Sequence, residues 1–170
     1  MKTLLCLIVF LILFSCAGRK NLHPYTHAAL RNGCPKNASC NLQLFANKAM
    51  MVKKDEWGNN SYSLEDRLGK NVLLYTYTRI VKGNVQDGGY REEIVFEIDA
   101  DKEVKPLTDA ALQNTQMLFG RFCFCKGQTG FYKVTKGNLT TSDKPDSFVR
   151  LDFSVTEVPQ VITHIAFDLK

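Results

Sequence analysis

Residues 147–157, SFVRLDFSVTE, alternate between apolar and mostly polar side chains. Successive side chains of a β-strand point to opposite faces of the sheet, so this pattern predicts a strand with one buried face. The predicted buried side carries four apolar residues, Val149, Leu151, Phe153 and Val155. After a break at Pro159, residues 161–169 alternate again and predict a second strand. Its predicted inward residues are Val161, Ile165, Phe167 and Leu169, with Ile162, His164 and Asp168 on the opposite face.

The same period of two continues through much of the chain. In residues 90–98 it places Tyr90, Ile94, Phe96 and Ile98 on one face. We expect this strand to pair with residues 71–81 through the turn at 86–89, because the two glycines of that turn accept positive φ without penalty. Residues 117–125 are apolar on both faces apart from Arg121, which predicts a central strand.

Only one segment carries helical signals. Thr108 is a candidate N-cap, Asp109 suits the positive end of a helix dipole, and the segment is long enough for about two turns. The chain therefore predicts an all-β, mainly antiparallel domain of about eight strands with one short helix. Such a meander closes as a small barrel or folds as a sandwich, because exposed strand edges invite aggregation.

The N-terminal residues have the layout of a signal peptide. A basic start is followed by an apolar run over residues 3–14 and then by small residues, and this run is shorter than the ~20 residues of a spanning helix. We expect residues 1–15 to be removed. The net charge of +5 is a mild excess, and the alternating charges of 90–93 indicate a solvated β-face, so nucleic acid is not an expected partner.

The junction Leu13-Phe14-Ser15-Cys16 resembles a bacterial lipobox. The resemblance implies that Cys16 becomes the first residue and carries acyl chains such as palmitate, with 16–33 as a tether and 34–170 as one β-rich domain. It implies an outer-membrane lipoprotein of the cell envelope, periplasmic or surface-exposed. Residues 122–132, FCFCKGQTGFY, together with 87–93, are similar to lipoproteins of the Bacteroidetes, such as flavobacteria, and imply no particular activity. The alternative is plain secretion with cleavage after Gly18.

Four cysteines remain when Cys6 leaves with the signal and Cys16 is acylated: Cys34, Cys40, Cys123 and Cys125. In an oxidising compartment they predict two disulfides. Residues two apart in a strand have Cα atoms about 7 Å apart, roughly the limit for a bridge, so we expect Cys123 and Cys125 each to cross to Cys34 or Cys40. Local pairing would instead leave Cys123 and Cys125 as a reducible pair. The spacing is unlike that of zinc sites.

The sequence predicts no catalytic residue, cofactor or metal. It has three histidines and neither G-x-S-x-G nor H-E-x-x-H, and the acidic run at 99–103 lacks the glycine of a calcium loop. Trp57, in a predicted loop, is the candidate binding residue. We expect a non-enzymatic envelope module that binds a protein or small ligand, one variant being an inhibitor of hydrolases. The alternative is a thiol–disulfide redox protein that uses Cys123 and Cys125.

Overall fold

A computed structural model of the protein describes residues 24–83, 87–142 and 148–170, and these form an all-β antiparallel fold, as predicted. The described residues contain ten strands and a short 3-10 helix at Asp109–Thr115. The first five strands are β1 (Ala28–Asn32), β2 (Ala38–Lys54), β3 (Asn60–Arg79), β4 (Tyr90–Asp99) and β5 (Leu107–Thr108). The others are β6 (Leu118–Cys123), β7 (Gly130–Lys133), β8 (Lys136–Thr141), β9 (Val149–Ser154) and β10 (His164–Leu169).

The strands form two five-stranded sheets. The first sheet has the order β1-β10-β9-β8-β5, and the second has the order β2-β3-β4-β6-β7. Strand β7 also pairs with the beginning of β3, where Phe131 lies opposite Asn60. This extra pairing closes β3, β4, β6 and β7 into a small barrel, so the fold combines a barrel with a second packed sheet.

The main core lies between the two sheets. Aromatic rings meet across it, with ring centroids 6.2 Å apart for Phe96 and Phe167 and 6.1 Å apart for Phe119 and Phe153. The inward faces predicted for residues 90–98 and 147–157 are confirmed, because their apolar residues are buried: Tyr90, Ile94, Phe96, Ile98, Val149, Leu151, Phe153 and Val155. The predicted central position of β6, between β4 and β7, is also confirmed.

A second, smaller cluster fills the opposite face of the second sheet. Its fully buried members are Met50, Val72, Val95 and Leu118. The β2–β3 hairpin bends over this face at Asn47 and Gly69, which have φ values of 54° and 80°. As a result β4 is buried on both faces. Glu92, on the main-core side, and Glu93, on the other side, are both buried, although the charge pattern of 90–93 predicted a solvated face.

Three local predictions need correction. The predicted tether 16–33 includes β1, which pairs with β10 in the first sheet. The predicted faces of Val161 and Ile162 are reversed, because β10 begins only at His164 and a side chain from β4 holds the preceding loop with Ile162 buried. The helix begins after Thr108 as predicted, but it is a 3-10 helix and the Thr108 side chain makes no capping hydrogen bond.

The expected signal peptide and the lipidation residue Cys16 lie outside the described residues. Within the part that the structure describes, no helix combines the length and apolar character needed to cross a membrane.

Candidate functional site

All four cysteines of the domain form disulfides, but with local rather than crossed pairing. Cys34 bonds Cys40, and Cys123 bonds Cys125. The predicted crossed pairing is wrong because β6 ends at Cys123, so Cys125 is not part of an extended strand. The chain turns there, with Gln128 N donating to the Cys125 carbonyl, and the Cα atoms of Cys123 and Cys125 are 5.1 Å apart.

The two disulfides lie at the same end of the molecule. Ile80 N donates to the carbonyl of Asn37, within the Cys34–Cys40 loop. In the neighbouring strands, Tyr90 lies opposite Cys123. We call this region the disulfide end, and it comprises residues 33–40, 79–81, 90–92, 121–125 and 161–163.

Tyr90 lies at the centre of the disulfide end, between two guanidinium groups. The Arg79 and Arg121 Cζ atoms lie 4.4 Å and 5.4 Å from the centroid of its ring. Its hydroxyl donates to Glu92 Oε1 at 2.5 Å and accepts from Arg121 Nε at 3.3 Å. Burial, followed by the hydrogen bond to Glu92, raises the pKa of Tyr90. The stacking holds the exposed Arg79 side chain against a buried ring.

Glu92 joins the two sheets at this end. Its side chain is fully buried and accepts hydrogen bonds from Val161 N at 2.7 Å and Ile162 N at 2.8 Å, as well as from Tyr90. Backbone N–H groups satisfied in this way hold the β9–β10 loop against β4. Sequence reasoning missed this role. The alternation of the strand nevertheless indicated it, because Glu92 lies between Tyr90 and Ile94 on the same inward face.

Large apolar side chains are exposed at the same end. Phe124, between the two bonded cysteines, is 82% exposed, and Ile80 and Val81 are 56% and 38% exposed. Large exposed aromatic and aliphatic groups that lie together are typical of interaction sites. Sequence reasoning did not single out Phe124, because 117–125 was interpreted as one central strand.

Trp57 is exposed in the β2–β3 turn, as predicted, with 78% of its surface accessible. The Asp55 carboxylate accepts hydrogen bonds from Trp57 N at 3.0 Å and Asn59 N at 2.7 Å. The Asn59 side chain, together with backbone donors of the turn, lowers the pKa of Asp55. The turn is therefore ordered, and a binding role for Trp57 stays a prediction.

Known proteins offer no guide to this arrangement. No protein-family model, curated protein or solved structure matches the chain. His27 and His164 are both exposed, and in the described ranges no three potential metal ligands cluster. In the acidic run at 99–103, Asp99 is instead bound by Lys70 and Lys102 at 2.8 Å and 3.0 Å.

Two pockets are lined by described residues. A pocket of about 150 Å³ lies between residues 32–35 and 161–164, beside the Cys34–Cys40 bridge. This is below the ~300 Å³ at which small-molecule sites begin. A pocket of about 340 Å³ at residues 102–106 is farther along the molecule, beyond the last residue of β4, and two lysines and a glutamate contribute to its lining. The pocket at the disulfide end is therefore the smaller of the two.

Proposed function

We propose that the protein is a non-enzymatic binding module of the bacterial cell envelope, anchored by acyl chains on Cys16. The observation that carries the proposal is the pair of disulfides, Cys34–Cys40 and Cys123–Cys125, in the folded domain. Such bonds form and persist in oxidising compartments. The apolar run over residues 3–14 supplies the route of export, and Cys16 supplies the attachment to the outer membrane, facing either the periplasm or the cell surface.

The proposed activity is binding because the disulfide end is ordered and carries exposed anchors. Phe124 and Arg79 are both exposed. The Cys123–Cys125 bridge constrains the backbone at Phe124, and stacking on Tyr90 holds the Arg79 side chain. No nucleophile of this end has a histidine within its hydrogen-bond network, as acyl-transfer catalysis would require. A hydrolase inhibitor is the variant of this function in which the partner is an enzyme.

Mass spectrometry of the membrane fraction tests the anchor and the disulfides together. We expect a chain that begins at Cys16, carries acyl chains and is lighter than its reduced form by four hydrogens. Cys16→Ser should abolish acylation, whereas Cys6→Ser, within the expected signal peptide, should leave the mature mass unchanged. An unacylated wild-type chain, or one with four free thiols, would overturn the proposal.

A second candidate function is thiol–disulfide exchange by Cys123 and Cys125. It is favoured because Cys123 and Cys125 are bonded to each other across a single residue. Cys34 and Cys40 form their own disulfide, so they do not compete for these two sulfurs. Exchange would begin with attack of a partner's thiolate on one sulfur, forming a mixed disulfide and releasing the other sulfur as a thiolate. Equilibration in glutathione buffers, followed by thiol counting on each peptide, distinguishes the two functions. Reduction of Cys123–Cys125 alone under mild conditions would favour exchange, and joint resistance of both bridges would favour binding.

A further inference from the structure

We infer that the disulfide end docks a protein whose surface has an apolar pocket flanked by carboxylates. The inference rests on the proposed binding function and names its surface and partner. Phe124 is the central apolar group of this surface, and Ile80 and Val81, which directly follow β3, are exposed at the same end. Arg79 and Lys126 supply positive charge beside them.

The apolar groups are close enough to enter one partner surface. Strands β3, β4 and β6 are consecutive neighbours in the second sheet. Arg79 lies over the Tyr90 ring, and Tyr90 pairs with Cys123. With neighbouring strands about 4.8 Å apart, the ends of β3 and β6 are separated by roughly 10 Å. Ile80 and Phe124, each one residue beyond those ends, therefore fit within the footprint of a single interface.

The surface is held in place before any partner arrives. Phe124 lies inside the Cys123–Cys125 ring, and the following turn is tied back by Thr129 Oγ1, which donates to the Cys123 carbonyl at 3.0 Å. Arg79 is stacked on Tyr90. The constrained backbone at Phe124 and the stacked Arg79 side chain have less conformational entropy to lose on binding, and aromatic and arginine residues are often the energetic centres of interfaces.

The charges around these groups favour an acidic partner. Two arginines at this end already have acidic neighbours within the protein. Arg91 forms an ion pair with Glu93, and Arg121 lies opposite Glu92 in the adjacent strand. The other charged residues of the disulfide end are Lys36 and Arg79, both exposed, a net charge of +2, and the exposed Lys126 directly follows Cys125. Carboxylates on a partner would pair with these cations and steer its approach.

The position of the N-terminal segment helps to decide whether the disulfide end meets a protein or the membrane that anchors the chain. That segment leaves the fold at Tyr25, whose N–H donates to the Ala100 carbonyl just beyond β4. Ten residues of β4 separate Tyr90 from Ala100, a span of about 33 Å. The nine residue steps from Cys16 to Tyr25 reach about 32 Å at full extension. The disulfide end could touch its own leaflet only with the domain inverted on a fully stretched tether, so the surface faces other proteins.

Site-specific photo-crosslinking in the full-length, anchored protein tests the inference. A benzoylphenylalanine at position 124 is the probe, and the same residue at position 68 is the control. Leu68 is 88% exposed and precedes Gly69, whose carbonyl accepts a hydrogen bond from Ala100 N. Leu68 is therefore near the end at which the N-terminal segment leaves the fold. We expect a discrete protein adduct from position 124 and none from position 68. Sequencing of the crosslinked peptide should place an apolar residue of the partner close to aspartate or glutamate.

Charge reversal provides the second arm. Lys126→Glu should lower the adduct yield from position 124 by about tenfold, because a like charge faces the partner's carboxylates. Lys126→Gln should lower the yield less. The Lys126 side chain is exposed and forms no hydrogen bond or ion pair with any residue that the structure describes. Both variants should therefore fold, and their disulfide masses and melting curves check that.

Each outcome has one meaning. The inference would be overturned by the absence of an adduct at position 124 or by equal adducts at both positions. It would also be overturned by an adduct with phospholipid or with a second copy of this chain, or by a yield that Lys126→Glu leaves unchanged. The acylation mass reports the proposed anchoring separately. An acylated chain without the adduct defeats only the docking surface, and an unacylated chain that keeps the adduct defeats only the anchor.

Discussion

Replacing Glu92 by glutamine tests how strongly one buried carboxylate joins the two sheets. In the native protein Glu92 Oε1 accepts from the Tyr90 hydroxyl and Val161 N, and Oε2 accepts from Ile162 N. Glutamine keeps the shape but has only one acceptor oxygen. If that oxygen retains the first two bonds, its NH₂ group faces the Ile162 N–H, donor against donor.

The magnitude follows from that lost acceptor. A hydrogen bond to a charged group contributes about 1.5–3 kcal/mol, and a buried donor without a partner costs about 1–3 kcal/mol. We therefore expect Glu92→Gln to lower the free energy of unfolding by about 3 kcal/mol. For a domain of this size the melting temperature should fall by roughly 6–12 °C.

Urea titration followed by far-ultraviolet circular dichroism measures the change, with the disulfides intact. Trp57 is the single tryptophan and is already 78% exposed, so its fluorescence would report unfolding poorly. Glu65→Gln is the matched control, because Glu65 is an exposed carboxylate of β3, and it should change stability by less than about 0.5 kcal/mol. A Glu92→Gln protein as stable as the control would refute the role of this carboxylate.

Other substitutions test the backbone and the titrating groups. Gly137→Ala should destabilise the fold by about 3 kcal/mol, because φ is +139° and a Cβ would lie 2.1 Å from a carbonyl oxygen of β9; Gly89→Ala, which meets nothing within 4 Å, should be nearly neutral in the same urea assay. Burial raises the pKa of Glu93 from 4.5, so above that pH the folded state binds more protons than the unfolded state. The free energy of unfolding should therefore fall as pH rises above 4.5, and Glu93→Gln should remove this dependence. A hydrogen bond from Lys70, with one from a second lysine, lowers the pKa of Asp99 from 3.8. Stability should therefore be lost as pH falls through the folded-state pKa, and Asp99→Asn should remove that loss; unchanged pH profiles would contradict both assignments.

The alternation of side chains was enough to predict the main core. The buried faces of β4 and β9 follow directly from period two, because burial on one face is what selects apolar residues at alternate positions. The second cluster could not be predicted this way. It depends on the bends at Asn47 and Gly69, where positive φ values turn the β2–β3 hairpin over the second sheet. Asparagine and glycine accept positive φ more readily than other residues, so both positions carried a signal for a bend, but the direction in which the hairpin turns depends on tertiary contacts.

The candidate site was predicted less completely than the core. Exposure of Trp57 was expected, but exposure of Phe124 required knowing that β6 ends at Cys123. The same boundary decided the disulfide pairing, since the extended-strand distance applied to Cys125 only if the strand continued. Strand ends depend on turns and tertiary contacts, and they are harder to infer than the strands themselves.

Strand β3 has a further consequence for how the protein unfolds. Its 20 residues contribute Leu73, Tyr75 and Tyr77 to the main core and Val72 to the smaller cluster. Melting either cluster would release a strand on which the other depends. Both should therefore be lost in one cooperative transition, and partial proteolysis should yield no stable fragment that retains only one of them.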